Sequence, residues 1–333
     1  MNIDYTKLEN TPRLLLEAKL KPLQGERFQP TGFADLGPAR YTLPNGTEML
    51  LVESAQSVAN RMELACWDES SNTWIEELKG LPYVRVNRED GSELTNSVLE
   101  AHRINSEYIM NSADTTFRDK FTNEITYVAG SPVNWQNLHK TLFKYDPGSL
   151  IHGCFLEEIG GRLRVTRALS GFIEASDVTP AESGGVKNNR VEPELKGGEG
   201  NVPYHRTEFV AKNITSFFNL DLALLRGYGL EETAKKLLIG LSLFKIQHFL
   251  STGLRLRTAC DLCIDGGLII TQPTNGFQIP SESALLDECK KLVAECIKQK
   301  LFTDPAITPI KFKPGKKKKD KEQVQSVEEE TDS

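Results

Sequence analysis

The chain has 333 residues, 39% of them hydrophobic and 26% charged, which is enough apolar material for one large domain or two ordinary ones. No stretch has the apolar length of a membrane span, and six cysteines are too few for a disulfide-dense secreted scaffold, so we expect free thiols. The N-terminus is polar and carries charges of both signs, which is not typical of a signal peptide, and we expect a cytoplasmic protein without a membrane partner.

The first thirty residues are predicted to be largely irregular, because Pro12, Pro22 and Pro30 interrupt them. A strand is predicted at 48–52, and a helix follows directly with Ser54 at its N-cap position. Apolar side chains recur at helical spacing along one face: Ala55, Val58, Ala59, Met62 and Cys66. The other face presents hydrogen-bonding groups that suit a polyanion: Gln56, Ser57, Asn60 and Arg61. An ordinary amphipathic helix with a polar outer face fits the same pattern.

A mainly helical insertion is predicted at about 72–145, with helices at 96–111 and 134–144. A pair of strands is predicted to follow at about 153–176. Arg162 and Arg164 alternate there with apolar residues, so the arginines share one face of a half-buried strand. Arg167 extends this cationic run, which contains no acidic residue from 159 to 173.

Residues 178–203 are rich in glycine and proline, a composition that predicts a long mobile loop or an extended hairpin. The cations of this segment include Lys187 and Arg190. Strand character returns at 207–225, before the RGYG sequence that contains Gly227 and Gly229. These glycines either let the backbone approach a phosphate or form a plain turn before the next helix.

A helix rich in leucine and isoleucine is predicted at 230–251, a strand carrying Arg255 and Arg257 at 254–265, and a helix at 281–300. Residues 311–333 contain a lysine block and an acidic block without an apolar core, and we predict that they form a disordered tail. The order strand, helix, strand, strand, helix, strand indicates an α+β protein with a ferredoxin-like or RRM-like core. Residues 1–310 are predicted to form this one domain.

The net charge of −6 argues mildly against a nucleic-acid partner, unless the cations are segregated. A second stretch without acids, 233–260, contains Lys235, Lys236, Lys245, Arg255 and Arg257. Arginines on neighbouring strands can form a cationic groove for single-stranded RNA. Surface arginines paired with the abundant acids are the alternative.

No catalytic or metal-binding motif stands out among the histidines and cysteines. None of the five histidines lies in an HExxH motif, and a buried, satisfied His152 is favoured over a catalytic one. Cys260 and Cys263 form a single CxxC pair without the further ligands that a zinc site needs. We therefore expect no metal, no cofactor and no catalysis.

The amino-acid sequences of several segments resemble those of one protein family. These segments are RFQPTGFADLGPARY (27–41), LVESAQSVANRME (51–63), EAHR (100–103), YDPGSLIHG (145–153), RALSGFIEA (167–175), RGYGL (226–230) and GLRLRTACDL (253–262). Together they resemble the backbone subunit of type I-G (formerly I-U) CRISPR effector complexes, a RAMP protein of the Cas seven family, over roughly residues 14–304. Each motif alone is weak, but their shared order along the chain is specific.

The resemblance implies a function in antiviral defence as the crRNA-binding subunit of a Cascade complex. Copies of such a subunit polymerise head to tail as a filament along the guide RNA, which then pairs with a target DNA strand, and other Cascade subunits complete the assembly. The 178–203 hairpin resembles the thumb of the family, which kinks the guide and contacts the neighbouring copy. The resemblance also supports RNA contacts by the strand arginines and the RGYG glycines.

Two other functions remain open from the sequence. Related RAMP proteins cleave RNA, and an endoribonuclease would draw on His102, Asp68 or Asp114, although no spacing singles them out. A protein scaffold that touches no RNA is the third reading.

Overall fold

The computed structural model describes residues 2–33, 37–161, 163–188 and 201–314. The strands are β1 (Arg13–Pro22), β2 (Gly32–Phe33), β3 (Gly37–Pro38), β4 (Arg40–Thr42), β5 (Glu48–Glu53), β6 (Trp67–Asp68), β7 (Thr73–Trp74), β8 (Tyr83–Asn87), β9 (Glu93–Asn96), β10 (Cys154–Leu156), β11 (Leu163–Val165), β12 (Leu169–Asn188), β13 (Asn201–Asp221), β14 (Arg255–Arg257), β15 (Cys260–Gln272) and β16 (Ile307–Lys311). The α-helices are α1 (Ala55–Leu64), α2 (Thr116–Glu124), α3 (Trp135–Tyr145), α4 (Pro147–His152), α5 (Leu222–Gly227), α6 (Glu232–Thr252) and α7 (Glu282–Lys298).

A seven-stranded antiparallel sheet organises the fold, in the order β14-β15-β1-β13-β12-β5-β4. Within it, β1, β12, β13 and β15 are the first to fourth strands of a ferredoxin-like unit. They lie in the spatial order fourth, first, third, second, with α1 before the second strand and α6 before the fourth. The predicted α+β class with a ferredoxin-like core is therefore confirmed.

The first core strand differs from the prediction. The strand predicted at 48–52 was expected to start the unit, but it is present as β5, which lies outside the unit, beside β12. The first strand is β1, in a region predicted to be irregular, where Leu14, Leu16, Ala18 and Leu20 are buried in strict alternation. Pro12 precedes β1 and Pro22 is its last residue, so the prolines delimit the strand instead of breaking it.

Helix α6 lies at the centre of the hydrophobic core. It contacts α1, α4, α5, α7 and the sheet strand β15, and Phe249 on it packs edge-on against Phe218 of β13, with ring centroids 6.3 Å apart. Leu237, Leu241 and Phe244 are also buried. A helix that is enclosed on several sides needs apolar residues all round, which explains its leucine-rich sequence.

The segment between α1 and β12 is mixed rather than mainly helical. It contains β8 and β9 of a three-stranded sheet, two short hairpins and helices α2 to α4. The predicted helix at 134–144 is present as α3, capped by Asn134. The predicted helix at 96–111 is wrong: the Asn96 side chain accepts hydrogen bonds from the backbone of Val98 and Leu99, which favours a turn, and only Arg103–Asn105 forms a 3-10 turn.

Strands β12 and β13 continue beyond the sheet as a two-stranded hairpin, which we call the thumb hairpin. In the described residues, β12 pairs with β5 only at 173–176 and β13 pairs with β1 only at 214–221, whereas β12 and β13 pair with each other out to Asn188 and Asn201. An isolated bridge between Phe28 and Phe209 supports its base. The extended-hairpin alternative therefore describes 178–188 and 201–203, while residues 189–200, with Arg190, lie outside the described residues.

The folded part of the chain extends further than predicted at its C-terminal end. Strand β16 runs to Lys311 and pairs in parallel with β8, and the Phe312 ring packs on Tyr108 at a centroid distance of 5.2 Å. The backbone amide of Lys313 donates to Ser112 Oγ at 3.1 Å. Residues 311–314 thus belong to the fold, and the rest of the predicted tail, 315–333, lies outside the described residues. In the part of the chain that is described, no helix has the length and apolar character to cross a membrane.

Candidate nucleic-acid interface

Helix α1 begins as the sequence predicts. Ser54 is the N-cap, and its side chain accepts a hydrogen bond from the Ser57 amide at 3.3 Å. Val58, Ala59 and Met62 are fully buried, while Gln56 is exposed and Asn60 half-buried. Gln56 Nε2 donates to Asn60 Oδ1 at 3.1 Å, one turn further on. The polar face is therefore available to a ligand at Gln56 and Asn60.

Side chains from distant parts of the sequence hold α1 in place. Arg103 makes a two-point ion pair with Glu63 near the end of the helix, with Nε–Oε1 at 3.1 Å and Nη2–Oε2 at 2.8 Å. Both residues are almost completely buried. Arg61 Nη2 reaches in the other direction and donates to the Leu256 carbonyl at 2.5 Å. These contacts restrict the position of the helix on the sheet.

Arg167 joins the start of α1 to the strand region that precedes β12. Its guanidinium donates to Ala55 O at 2.8 Å, to Gln56 Oε1 at 2.7 Å and to His152 O at 3.2 Å. Burial lowers the pKa of Arg167, and the neighbouring positive charge of Arg103 adds to this effect. Arg167 is therefore mainly an anchor, with part of its guanidinium at the surface.

A cleft of about 500 Å³, which we call the α1 cleft, opens between α1 and the β10–β11 hairpin. Its polar and charged lining comes from four separate segments: Gln56, His102, Arg103, His152, Arg164, Thr166 and Arg167. Of the residues described, no aspartate or glutamate lines it. A cleft that combines arginines, a helix N-terminus and no acids has the character of an anion site.

Arg164 is the most accessible cation of the α1 cleft. It is exposed on β11 between the buried Leu163 and Val165, as the alternation predicts. Its guanidinium lies over the Phe155 ring of β10, 5.1 Å from the ring centroid, and makes no ion pair in the described residues. The stack pre-orients the charge without neutralising it. Arg162 lies outside the described residues.

Buried ionisable groups lie beneath the α1 cleft. Lys245 of α6 is fully buried and its ammonium donates to His152 Nε2 at 3.2 Å. Asp146 is buried too and accepts from Ser149 Oγ at 2.8 Å. Burial, reinforced by the negative charge of Glu63, raises the pKa of Asp146 to about 6. Burial, together with the positive charge of Lys245, holds the pKa of His152 well below its usual value, so this imidazole is neutral.

A second group of cations surrounds Glu53, on the other side of α1. Glu53 is only 2% exposed, and its carboxylate forms an ion pair with Arg257, while Arg61 Nε lies 3.8 Å from Oε1. Arg257 also donates to the Gln29 carbonyl at 2.8 Å. Arg61 and Arg257 were predicted to reach RNA, but both lie against the Glu53 carboxylate and donate to backbone carbonyls, as the alternative of acid-paired arginines describes.

Arg255 is exposed and lines a different cavity, of about 450 Å³, at the base of the thumb hairpin. Arg27, Glu208 and Asp261 share this cavity, so its charge is mixed. Arg27 pairs with Glu208 at 3.3 Å. Arg255 is therefore free to contact a ligand, but it is separate from the α1 cleft.

The remaining predicted contacts lie elsewhere. Gly227 ends α5, and Gly229 has a positive φ of 67° with its carbonyl accepting from Gln136 of α3 at 3.0 Å. The tyrosine between them is buried, and its hydroxyl donates to Leu150 O at 3.0 Å. The turn reading of RGYG fits these contacts. Lys187 is in β12 near the tip of the described hairpin, and nothing further is described for its side chain.

The second acid-free stretch, 233–260, presents fewer free positive charges at the surface than the sequence predicted. Lys245 is buried, and Lys235 pairs with Glu232 one turn earlier in α6. Lys236 lies over the Tyr5 ring at 5.3 Å. The absence of acids from this stretch of sequence could not predict these contacts. They depend on which residues lie one helical turn away and on how α6 packs in the core. A lysine within the apolar run LSLFKIQHF was a usable signal of a buried, paired charge.

The candidate residues for catalysis are not brought together. His102 is exposed and lines the α1 cleft, whereas Asp68 and Asp114 do not line it. Each aspartate accepts hydrogen bonds from the serine or threonine residues that follow it, in tight turns that lower its pKa, that of Asp68 to about 2. The described residues contain no group of three or more His, Cys, Asp or Glu able to hold a metal ion, and Cys260 and Cys263 are free thiols.

The family whose sequence pattern matches this chain is described as "CRISPR-associated protein GSU0053", and the match covers residues 14–180. The chain belongs to this CRISPR-associated family. Two solved structures are similar in fold: a "CRISPR RNA-guided surveillance complex, pre-nicking" chain, with 14% identity, 86% of this chain and 87% of that chain covered and a TM-score of 0.43, and a "CRISPR RNA-guided surveillance complex" chain, with 14% identity, 86% and 84% covered and a TM-score of 0.35. No curated protein matches.

The predicted membership in a CRISPR-associated family is thus confirmed. The matched region of this CRISPR-associated chain contains β1 except its first residue, α1 and the residues that line the α1 cleft. The motifs that carry the resemblance also meet around α1: Arg103, His152 and Arg167 come from three of them, and Leu256 from a fourth. Segments that are far apart in the sequence therefore build one site.

Proposed function

We propose that the chain is the guide-RNA-binding backbone subunit of a type I CRISPR interference complex. Family membership supports a role in CRISPR defence, and the resemblance described above supports the backbone role. The observation that carries the proposal is the α1 cleft, where two segments predicted separately to contact RNA, the start of α1 and the strand with Arg164, line one acid-free surface.

The cleft suits the phosphates of a single strand more than a particular base sequence. Guanidinium groups and a helix N-terminus recognise phosphate oxygens, which every nucleotide presents. A backbone subunit needs this property because pairing between guide and target DNA supplies the sequence specificity. Binding of this kind requires no cofactor and no catalysis.

The thumb hairpin supports the proposal that copies of the chain polymerise. Beyond the bridge between Phe28 and Phe209, its two strands pair only with each other in the described residues, so their outer edges offer unpaired backbone groups. A projecting hairpin that contacts the next copy produces a head-to-tail interface, and repeated head-to-tail interfaces build a filament. The partners are therefore crRNA, further copies of the chain, other Cascade subunits and, through the guide, a target DNA strand.

The proposal is tested by removing the accessible charge of the cleft. Arg164→Ala removes an exposed guanidinium that has no ion-pair partner in the described residues, so the fold should be unaffected. Lys298→Ala is the matched control, because Lys298 is an exposed cation of α7 whose side chain is 80% accessible and which does not line the cleft. Binding of a labelled guide RNA is measured by fluorescence anisotropy over a range of salt concentrations.

Arg164→Ala should weaken binding and reduce the slope of log affinity against log salt by up to about one unit, as expected for one lost phosphate contact. Lys298→Ala should bind as the unaltered protein does. Equal binding by all three proteins would contradict a guide-binding role for the cleft.

An endoribonuclease remains the alternative, because two histidines, His102 and His152, line the same cleft. A ribonuclease needs a histidine that exchanges a proton near neutral pH. Incubation with labelled repeat RNA distinguishes the two functions. The backbone function predicts intact RNA, whereas discrete cleavage products that disappear in His102→Ala would favour the enzyme.

A further inference from the structure

The two ring nitrogens of His152 have different surroundings. Nε2 points to the core side and accepts from the Lys245 ammonium at 3.2 Å. Nδ1 is buried, and none of the described residues forms a hydrogen bond with it. Nearly all buried polar atoms in folded proteins have a partner, so this orphaned nitrogen in a residue that lines the α1 cleft needs an explanation.

The contact with Lys245 determines which nitrogen carries the proton. An ammonium group has three donors and no acceptor, so Nε2 must present its lone pair. A neutral imidazole has one protonated nitrogen, and the proton must then reside on Nδ1. The unpartnered atom is therefore an N–H donor, fixed in place by a buried lysine.

A donor in this position is satisfied by an acceptor oxygen. The neighbouring charged groups of the cleft, Arg164 and Arg167, are donors as well, and no acidic residue of the described chain lines it. Cationic donors that converge without an acid favour an anionic oxygen over a neutral one. Among the oxygens of an RNA strand, the non-bridging phosphate oxygens meet this requirement.

We propose that His152 is a ligand-contacting residue whose Nδ1–H donates a hydrogen bond to a phosphate oxygen of RNA in the α1 cleft, and that Lys245 is the positioning residue that fixes this tautomer. The inference rests on the proposed guide-binding function. It adds one uncharged hydrogen-bond donor, His152 Nδ1–H, to the arginines of the cleft. A neutral donor contributes affinity that added salt screens little, unlike the contribution of Arg164.

Two amide substitutions separate the two nitrogens. In His152→Gln the side-chain oxygen can replace Nε2 as acceptor for Lys245, but no donor remains at the Nδ1 position. In His152→Asn the amide nitrogen can replace Nδ1–H, but Lys245 loses its acceptor. Binding of a labelled single-stranded RNA is measured below the melting temperature of each variant, together with thermal unfolding.

His152→Gln should unfold near the temperature of the unaltered protein and bind RNA roughly tenfold more weakly, the effect of one hydrogen bond to a charged group. Its salt slope should be unchanged, because no charge is removed. His152→Asn should unfold at a lower temperature and bind RNA more tightly than His152→Gln does, because its amide nitrogen can still donate at the Nδ1 position. Unchanged affinity in His152→Gln would overturn the proposal for His152 while leaving the guide-binding function intact.

Nitrogen-15 NMR of the histidine-labelled protein gives a second test that needs no variant. The free protein should show His152 protonated at Nδ1, and a short oligoribonucleotide should shift this resonance and slow the exchange of its proton. A proton on Nε2, or an Nδ1 resonance that RNA does not affect although anisotropy shows binding, would contradict the proposal. Failure of the unaltered protein to bind RNA in anisotropy would instead contradict the proposed function itself.

Discussion

The cations of this chain divide into anchors and free charges, and only the contacts of each side chain show which is which. Arg61, Arg167 and Arg257 donate to backbone carbonyls or buried carboxylates, whereas Arg164 and Arg255 are exposed. The alternation along β11 and β14 predicted that arginines face outward, which is correct for Arg164 and Arg255. It could not predict that Glu53, two hundred residues away from Arg257, would be buried against it.

Arg255 and Arg257 offer a matched pair on one short strand. Arg257→Ala removes the main partner of the buried Glu53 and should lower the free energy of unfolding by about 3 kcal/mol, because Arg61 compensates only in part. Arg255→Ala should change it by no more than about 0.5 kcal/mol. Urea denaturation measures both values. Similar small losses in both variants would show that Glu53 does not depend on Arg257.

Asp146 predicts a dependence of stability on pH. Its pKa is about 6 in the fold and near 3.8 when unfolded, so between these values the folded state binds more protons. The stability that Asp146 contributes is therefore present below about pH 4 and is lost as pH rises through 6, by roughly 3 kcal/mol in all.

Asp146→Asn should remove this dependence while keeping an acceptor for Ser149. The difference in unfolding free energy between variant and unaltered protein should favour the variant increasingly from pH 4 to pH 7. Denaturation series at several pH values measure it, and Ser149→Ala serves as the control for the lost hydrogen bond alone. A difference that stays constant over this pH range would contradict a raised pKa.

At the scale of elements, local signals predicted some segments well and failed where side chains compete with the backbone. Helices α1 and α7 were both predicted, and each begins at a serine N-cap: Ser54, as predicted, and Ser281. The helix at 96–111 failed because Asn96 ties the backbone into a turn. Strand β1 was missed because the prolines around it were taken as breakers, although its alternation of buried residues was visible in the sequence.

The thumb hairpin is predicted to matter for assembly rather than for folding. Its outer part, from Glu182 to Thr207, pairs in the described residues only with itself, so a short Gly-Ser turn in its place should leave the sheet intact. The melting temperature should change by only a few degrees, since few core contacts are lost. Ordered oligomers on guide RNA, counted by native mass spectrometry, should disappear. Normal oligomers would contradict a thumb role.

At the scale of the whole molecule, the net charge alone is a poor guide to whether the protein has a cationic surface for nucleic acid. A chain with a net charge of −6 places Arg164 and Arg167 in a cleft that no described acid lines, and it pairs the nearby Glu63 with the buried Arg103. Composition could not predict this segregation, because it arises from four segments that only the fold brings together. The sequence could predict the fold class and part of the site, namely Gln56, Arg164 and Arg167. The burial of His152 was also predicted, but its contact with Lys245 and the nearby burial of Asp146 were not.

The central claim is that this chain binds guide RNA along its length as a repeated subunit. The most direct measurement is to express it together with a CRISPR array, purify it, treat it with nuclease and sequence the RNA that remains. The account predicts a discrete array-derived RNA that co-purifies and is protected by several copies of the chain, and that is reduced in Arg164→Ala. A folded protein that carries no array-derived RNA, with an absorbance spectrum of protein alone, would contradict it.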